Sequence, residues 1–152
     1  MKHHLPITPY DPSRPLHLFV DSSITKGMGF VLLQKDDSNK HMVVQCGSTY
    51  ITQAQRMYSV YELELAGLVF ALVKTKHYTL GAVNTVVYTD HQALVNINNN
   101  DWDRIENTRV LRMLSKINHF SFVVQHLKAQ HNLIADRSEE HTSELQSQFR
   151  IS

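Results

Sequence analysis

Four carboxylates lie at positions where they could form a site: two end expected strands, one lies within an expected helix, and one lies where a last helix is expected to begin. Asp21 closes "LHLFVD", Asp90 closes "NTVVYTD", Glu64 lies within a long apolar run, and Asp136 ends "HNLIAD". Without a histidine or cysteine cluster, such acids form an all-oxygen donor set that suits hard cations such as Mg²⁺. Sites of this type serve phosphoryl chemistry, in which two ions about 3.5–4 Å apart activate water and stabilise the departing oxygen. The sequence therefore predicts a metal-dependent phosphoryl site, provided that the fold brings the four acids together.

Alternating and β-branched segments predict five strands, and longer apolar or amphipathic segments predict the helices between them. A helix with Ser59 as its N-cap carries Glu64. In chain order we expect strands at 16–21, 28–34 and 41–51, a helix at 57–74, a strand at 84–90, a short helix at 91–97, a helix at 105–117 and a strand at 120–127.

Short turns join the first three strands, which predicts an antiparallel meander. Strands reached through a helix tend to run parallel to their predecessors, because the crossover is right-handed. We therefore expect an α/β fold with a five-stranded mixed sheet, three antiparallel strands plus two parallel ones, covered by helices. Asp21 and Asp90 would then end adjacent parallel strands, at the edge where ligands bind in such sheets.

Each acid also has a structural interpretation. Asp21 and Asp90 suit turns, and Asp136 suits a helix start, where the dipole favours a carboxylate. Glu62 is an alternative to Glu64, but the two lie about 200° apart around a helix and cannot both face one site. Only the combination of four acids favours a metal site.

Composition indicates one domain of 152 residues with a net charge of +1. The single Cys46 excludes a disulfide framework, and the ten histidines show no zinc-ligand spacing. No apolar run reaches membrane-spanning length and no secretion signal is visible, so we expect an intracellular protein without membrane partners.

A basic stripe on the helix at 105–117 is the clearest candidate nucleic-acid surface. Residues 1–136 have a net charge of +2, which becomes +6 when the four acids are set aside. Arg109, Arg112 and Lys116 share one helix face and could contact a phosphate backbone, although such a face is often only solvated.

Four segments carry a resemblance through their order and spacing: "PYDPSRPLHLFVDSSITKGMGFVLLQ", "YSVYELELAGLVFAL", "VVYTDHQAL" and "HLKAQHNLIAD". Together they resemble the ribonuclease H domain of reverse transcriptases from gypsy-type long-terminal-repeat retroelements. The resemblance covers roughly residues 8 to 136 and implies a ribonuclease H-like fold with a two-metal, four-carboxylate site.

The resemblance also implies roles for single residues. Asp21 matches the acid that bridges two Mg²⁺ ions, for which Mn²⁺ is a possible substitute. Glu64 and Asp90 match the acids near the leaving group, and Asp136 matches an acid of the ion that carries the attacking water. His126 falls where other branches have a histidine that assists product release, although gypsy elements often have tyrosine there.

Ser22, Ser23 and Thr89 are candidates for backbone and 2′-hydroxyl contacts with an RNA–DNA hybrid, with turn hydrogen bonding as the alternative. The chain departs from the family at three places. Ser22 stands where alanine is usual, Ala129 replaces a usual glycine, and no helix end follows Asp136.

"RSEEHTSELQS", at 137–147, resembles a translated sequencing adapter. We therefore divide the chain into an extended lead-in at 1–15, a ribonuclease H-like domain at 16–136 with its last helix truncated, and a foreign tail at 137–152. An ordinary disordered polar tail is the alternative.

The leading hypothesis is endonucleolytic hydrolysis of the RNA strand of RNA–DNA hybrids, within a polyprotein that also has polymerase and integrase domains. The cytoplasm or a virus-like particle is the expected location. One alternative is an inactive fragment that binds hybrid or acts as a spacer, because Asp136 lacks its supporting helix. A third hypothesis is a related nuclease or transposase, which would also cut duplex DNA.

Overall fold

The computed structural model describes residues 10–99 and 105–127, which build one five-stranded sheet in the order β3-β2-β1-β4-β5. β1 pairs antiparallel with β2, and β2 with β3. β4 runs parallel to β1, and β5 runs parallel to β4. The predicted mixed sheet is confirmed. The strands are β1 (Leu16–Ser23), β2 (Gly27–Lys35), β3 (His41–Thr49), β4 (Thr85–Thr89) and β5 (Val123–His126).

In the described ranges, three α-helices accompany the sheet: α1 (Val60–Lys74), α2 (Lys76–Thr79) and α3 (Thr108–Ser115). α1 begins three residues later than the predicted range of 57–74, directly after the predicted N-cap Ser59, whose side chain accepts a hydrogen bond from the Glu62 N–H. α3 is shorter than predicted, because the Asn107 side chain accepts from two backbone N–H groups and sets a later start. The short helix expected at 91–97 is wrong: 3₁₀ turns lie at Gln92–Leu94 and Ile97–Asn99.

The sheet is apolar on both faces. Leu16, Leu18 and Val20 alternate along β1 and pack in the cluster that also contains the buried residues of α1 and α3. The opposite face has a separate cluster built around Phe19 and Tyr88, with Leu127 packed against it. Burial on both faces fixes the register of β1, since a one-residue slip would exchange the two sets of side chains.

The segment before β1 is fastened to the end of β2. The buried Gln34 side chain accepts from the Asp11 N–H and donates to the carbonyls of Asp11 and Arg14. Tyr10 packs edge-on against Tyr78, with 4.8 Å between ring centroids. The described part of the predicted lead-in is therefore held in place.

The expected tail at 137–152 and the truncated last helix lie outside the described residues. No helix in the described ranges is long and apolar enough to cross a membrane.

Candidate active site

Three acids from three different elements meet at one edge of the sheet. Asp21 lies on β1, Glu64 lies on α1, and Asp90 follows β4 directly. Each offers a carboxylate oxygen, and these oxygens all lie within 4.8 Å of one another. Residues separated by up to 69 positions thus form one group.

Parallel pairing of β1 with β4 explains why the two aspartates meet. Phe19 is the register partner of Tyr88, so Asp21 and Asp90 each lie two positions further toward the same edge. Asp21 is half-buried within the sheet, whereas Asp90 is exposed beyond the end of its strand. The edge therefore has one acid in the sheet and one that faces solvent.

A close approach between α1 and β1 brings Glu64 to the aspartates. Gly67 lies less than one helical turn after Glu64, and a Cβ there would be 2.0 Å from Ser22 Oγ and 3.8 Å from the Asp21 carbonyl oxygen. Any side chain at position 67 would press against the strand that carries Asp21. The absence of a side chain at this position allows the helix to lie close enough for Glu64 to join the group.

The surroundings of Glu64 disfavour its charged form. Its side chain is buried, and among the described residues Oε2 has no hydrogen-bond partner. Burial, followed by the charges of Asp90 and Asp21, raises the pKa of Glu64 from 4.5 to about 8. A carboxylate held in this way gains from any cation that reaches it.

The donor set fits a hard divalent cation. It consists of carboxylate oxygens only, one of them buried and without a partner in the described structure. Mg²⁺ and Mn²⁺ are typical ions for such oxygen sites, whereas zinc sites usually include nitrogen or sulfur.

Glu62, two residues before Glu64, has the opposite environment. Its Oε1 accepts from the Ser59 N–H at 2.9 Å, and its Oε2 accepts from Asn107 Nδ2 at 3.0 Å. Arg109 Nη1 donates to both oxygens, at 3.1 and 3.2 Å. The Ser59 backbone hydrogen bond, then Asn107, with a further contribution from Arg109, lowers the pKa of Glu62 from 4.5 to about 2.

The three hydroxyl residues predicted to contact nucleic acid are either buried or hydrogen-bonded within a turn. Ser22 Oγ is buried against α1, with no hydrogen-bond partner in the described part of the chain. Ser23 Oγ accepts from the N–H groups of Thr25 and Lys26 in the turn before β2. Thr89 is fully buried, and its hydroxyl accepts from the His91 N–H at 3.1 Å. The contacts of Ser23 and Thr89 match the turn alternative, whereas the Ser22 hydroxyl makes no such hydrogen bond among the described residues.

The basic stripe divides into two parts. Arg109 pairs with Glu62 and stacks on Tyr58, with its guanidinium carbon 4.5 Å from the ring centroid. Arg112 and Lys116 are exposed and line an open groove of about 450 Å³ together with Tyr58, Thr108, Arg109 and Met113. All three cations of the predicted stripe are exposed and line this groove, but Arg109 is already engaged by Glu62 and Tyr58.

The remaining predicted site residues are His126 and Asp136. His126 ends β5 as the register partner of Thr89, so it lies at the same sheet edge as Asp90. Asp136 lies outside the described residues.

Sequence reasoning missed the roles of Glu62, Asn107 and Gly67. The spacing Ser59-x-x-Glu62 is the signature of a capping box, so the local half of the Glu62 contacts was detectable. Nothing in the local sequence indicated its partners, because Asn107 and Arg109 lie 45 and 47 positions away.

Residues 11–120 match the family model described as the RNase H-like domain found in reverse transcriptase. The Tf2-3 and Tf2-4 transposon polyproteins of Schizosaccharomyces pombe are each 30% identical to this chain over 128 residues, which is 84% of this chain. The chain spans about a tenth of the length of these curated relatives.

Solved structures share the fold at low sequence identity. A foamy viral protease-reverse transcriptase in complex with RNA/DNA hybrid has a TM-score of 0.54 and 16% identity, over 76% of this chain and 15% of that chain. LC11-RNase H1 in complex with RNA/DNA hybrid has a TM-score of 0.51 and 15% identity, over 73% of this chain and 83% of that chain. The resemblance and the fold predicted from the sequence are therefore confirmed, and the chain belongs to the family of RNase H-like domains found in reverse transcriptases.

Proposed function

We propose that this chain hydrolyses the RNA strand of RNA–DNA hybrids, as the ribonuclease H module of a retroelement polyprotein. The observation that carries the proposal is the convergence of Asp21, Glu64 and Asp90 within 4.8 Å, in a chain that belongs to this family. The RNA/DNA hybrids bound by its structural relatives support the same substrate class.

Asp21, Glu64 and Asp90 would hold Mg²⁺, with Asp136 as a fourth ligand and Mn²⁺ as an alternative ion. We propose two ions, in keeping with the four acids. When bound, they supply Lewis acidity at the scissile phosphate and activate water for in-line attack.

The strands and α1 fix the positions of the proposed metal ligands. Asp21, on the central strand, anchors the donor set, because β1 is paired on both sides by β2 and β4. Glu64 approaches from the helix side, and exposed Asp90 lies where substrate can reach it. His126, at the end of the neighbouring strand, is proposed to contact the departing product.

Arg112 and Lys116 are proposed to bind the hybrid backbone. Both are exposed cations of the groove beside Tyr58, and Tyr58 directly precedes the N-cap of α1. Contacts of this kind neutralise phosphates without reading bases, so cleavage should show little sequence preference.

In the parent polyprotein we propose polymerase and integrase domains as neighbours, and the cytoplasm or a virus-like particle as the location. The polyprotein relatives, of which the chain spans about a tenth, support a larger parent protein.

The test is cleavage of a hybrid that carries a label on its RNA strand, with Mg²⁺ or with a chelator. We expect Mg²⁺-dependent cleavage that falls by more than about 100-fold in Asp90→Asn, because a proposed metal ligand should matter more than an outer-shell contact. Glu106→Gln, which changes an exposed acid away from the carboxylate group, is the matched control and should cleave normally.

Duplex RNA and duplex DNA serve as substrate controls. Equal cleavage of duplex DNA would indicate a different nuclease of the same fold. Intact hybrid in every reaction of a folded protein would overturn the proposed activity and leave a binding or spacer module.

A further inference from the structure

The contact between α1 and α3 lies on the side of α1 that is opposite to Glu64. Its members are Ser59 and Glu62 at the start of α1, Asn107 and Arg109 at the start of α3, and Tyr58, which stacks beneath Arg109. Glu62 is the common partner of Ser59, Asn107 and Arg109. We call these five residues the α1–α3 clamp.

The clamp holds the part of α1 that is weakest by itself. The first N–H groups of any helix lack partners within the helix, so its first turn frays unless it is capped. Ser59 and Glu62 satisfy each other in a capping box. The contacts of Asn107 and Arg109 then tie this first turn to a second helix, which the capping box alone cannot do.

Glu64 lies two residues after Glu62, about 3 Å further along the helix axis and on the opposite side. A rotation or shift of the first turns of α1 would therefore move Glu64 relative to Asp21 and Asp90. Metal ligands need placement within about 0.5 Å, so such movement would weaken cation binding.

The clamp also engages Arg109. Its Nη1 donates to both Glu62 oxygens, and its guanidinium lies over the Tyr58 ring. One guanidinium nitrogen thus bridges both carboxylate oxygens, and the planar group stacks on an aromatic face, as arginine side chains often do. Arg109 and Arg112, one turn later on α3, are both exposed, but the guanidinium of Arg109 is held by Glu62 and Tyr58.

We propose that Arg109 is a positioning residue that acts through Glu62 to hold Glu64 in place for cation binding, and not a contact for the nucleic acid. This inference rests on the proposed function, because it requires that Glu64 binds a divalent cation.

The experiment measures two affinities separately in the full chain. Calorimetry with Mg²⁺ alone gives the cation dissociation constant, and fluorescence anisotropy with a labelled RNA–DNA hybrid in chelator gives the hybrid dissociation constant. The variants are Arg109→Ala, Glu62→Gln, Arg109→Lys and, as the matched control on the same helix, Arg112→Ala. Thermal unfolding of each variant confirms that it is folded.

We expect Arg109→Ala and Glu62→Gln to weaken Mg²⁺ binding about 10-fold, the size typical of outer-shell changes. Hybrid affinity should change by less than about twofold, well under 1 kcal/mol. Arg109→Lys should fall between wild type and Arg109→Ala, because an ammonium can pair with Glu62 but cannot stack a planar group on the Tyr58 ring. Arg112→Ala should do the reverse, weakening hybrid binding while leaving Mg²⁺ binding unchanged.

Weaker hybrid binding by Arg109→Ala at unchanged Mg²⁺ affinity would overturn the inference and make Arg109 a substrate contact. Unchanged values for both affinities would also overturn it. If Arg109→Ala does not fold, Glu62→Gln decides, since glutamine keeps the shape of the side chain while it removes the charge and one of the two acceptor oxygens. A wild-type chain that binds no Mg²⁺ would refute the proposed metal site itself, which distinguishes that failure from failure of the positioning role.

Discussion

Glu62 and Glu64 are two positions apart on α1, and both side chains are buried, yet their carboxylates have opposite surroundings. Glu62 faces α3 and accepts from Ser59, Asn107 and Arg109. Glu64 faces the sheet edge, where its nearest charges are those of Asp21 and Asp90. As a result, the pKa of Glu62 is about 2 and that of Glu64 is about 8.

The difference shows that two glutamates on one helix can serve different purposes. One stabilises the fold as a paired carboxylate, and the other is kept in surroundings that destabilise its charged form until a ligand binds. A buried carboxylate with donors on both oxygens rigidifies its surroundings. A buried carboxylate beside two other acids is a common feature of functional sites, because its destabilisation is relieved only when a ligand binds.

The largest expected effect is a change with pH in the free energy of unfolding of the metal-free chain, caused by Glu64. The pKa of Glu64 is about 8 in the folded chain against an ordinary 4.5, so the unfolded chain loses this proton first as pH rises. Glu64 therefore lowers the free energy of unfolding progressively between pH 4.5 and 8, by at most about 5 kcal/mol. Urea unfolding in chelator should show this decline in wild type and a much flatter profile in Glu64→Gln.

Glu62 should show the opposite sign. Its folded pKa of about 2 lies below the ordinary 4.5, so its contribution is present above pH 4.5 and disappears as pH falls toward 2. Glu62→Gln should remove part of the acid-side loss and leave the decline at higher pH. Equal profiles for the two variants would contradict the contrast between the two glutamates.

A smaller effect is expected from Gly67→Val. This substitution would push α1 away from β1 and so move Glu64 away from Asp21, which would remove the surroundings that distinguish Glu64 from Glu62. The first added carbon would lie 2.0 Å from Ser22 Oγ and 3.4 Å from Ser22 Cβ, so rotation of the hydroxyl cannot make room for a branched side chain. We expect a loss of about 1–3 kcal/mol in chemical unfolding, as for other overpacked sites. Mg²⁺-induced stabilisation should fall as well.

Gly67→Ala is the matched control for this substitution. A single methyl group can be accommodated if the Ser22 hydroxyl rotates, so its cost should be clearly smaller than that of valine. A Gly67→Val chain with wild-type stability and an unchanged Mg²⁺ response would show that the close approach is not needed.

The smallest expected effect is that of Ser59→Ala, which removes one half of the capping box. Glu62 keeps the Ser59 N–H, Asn107 and Arg109 as donors, so only the Glu62 N–H loses its cap. Thermal or urea unfolding should show a loss of about 1 kcal/mol. Ser115→Ala, an exposed change on α3, should have little effect, and an equal loss there would contradict the capping role of Ser59.

Local sequence was sufficient for much of the architecture. The periodicity of the strands and the connections between them predicted the mixed sheet, and with it the neighbouring positions of Asp21 and Asp90. The apolar run around Glu64 predicted a buried helix, and Ser59 predicted its start. The helix start depends on contacts between nearby residues, and the strand directions follow from the type of connection between strands, both of which a single sequence displays.

Long-range contacts were not predictable in the same way. Arg109 looked like a member of a basic stripe because its helical spacing matches Arg112 and Lys116, whereas the structure pairs it with a glutamate 47 positions earlier. Ser22 and Thr89 looked like candidate ligand contacts because they flank the acids, but their hydroxyls are buried.

The sequence by itself determined which acids are available, on which elements they lie and at which edge of the sheet the strands end. Only the tertiary structure decided which glutamate is paired and which is left beside two aspartates. The physical reason is that the pKa of a carboxyl group depends on its distance in space from charged and hydrogen-bonding partners and on its exclusion from water. For both glutamates most of these partners are remote in sequence, and their distances are set only when α1 packs between the sheet and α3.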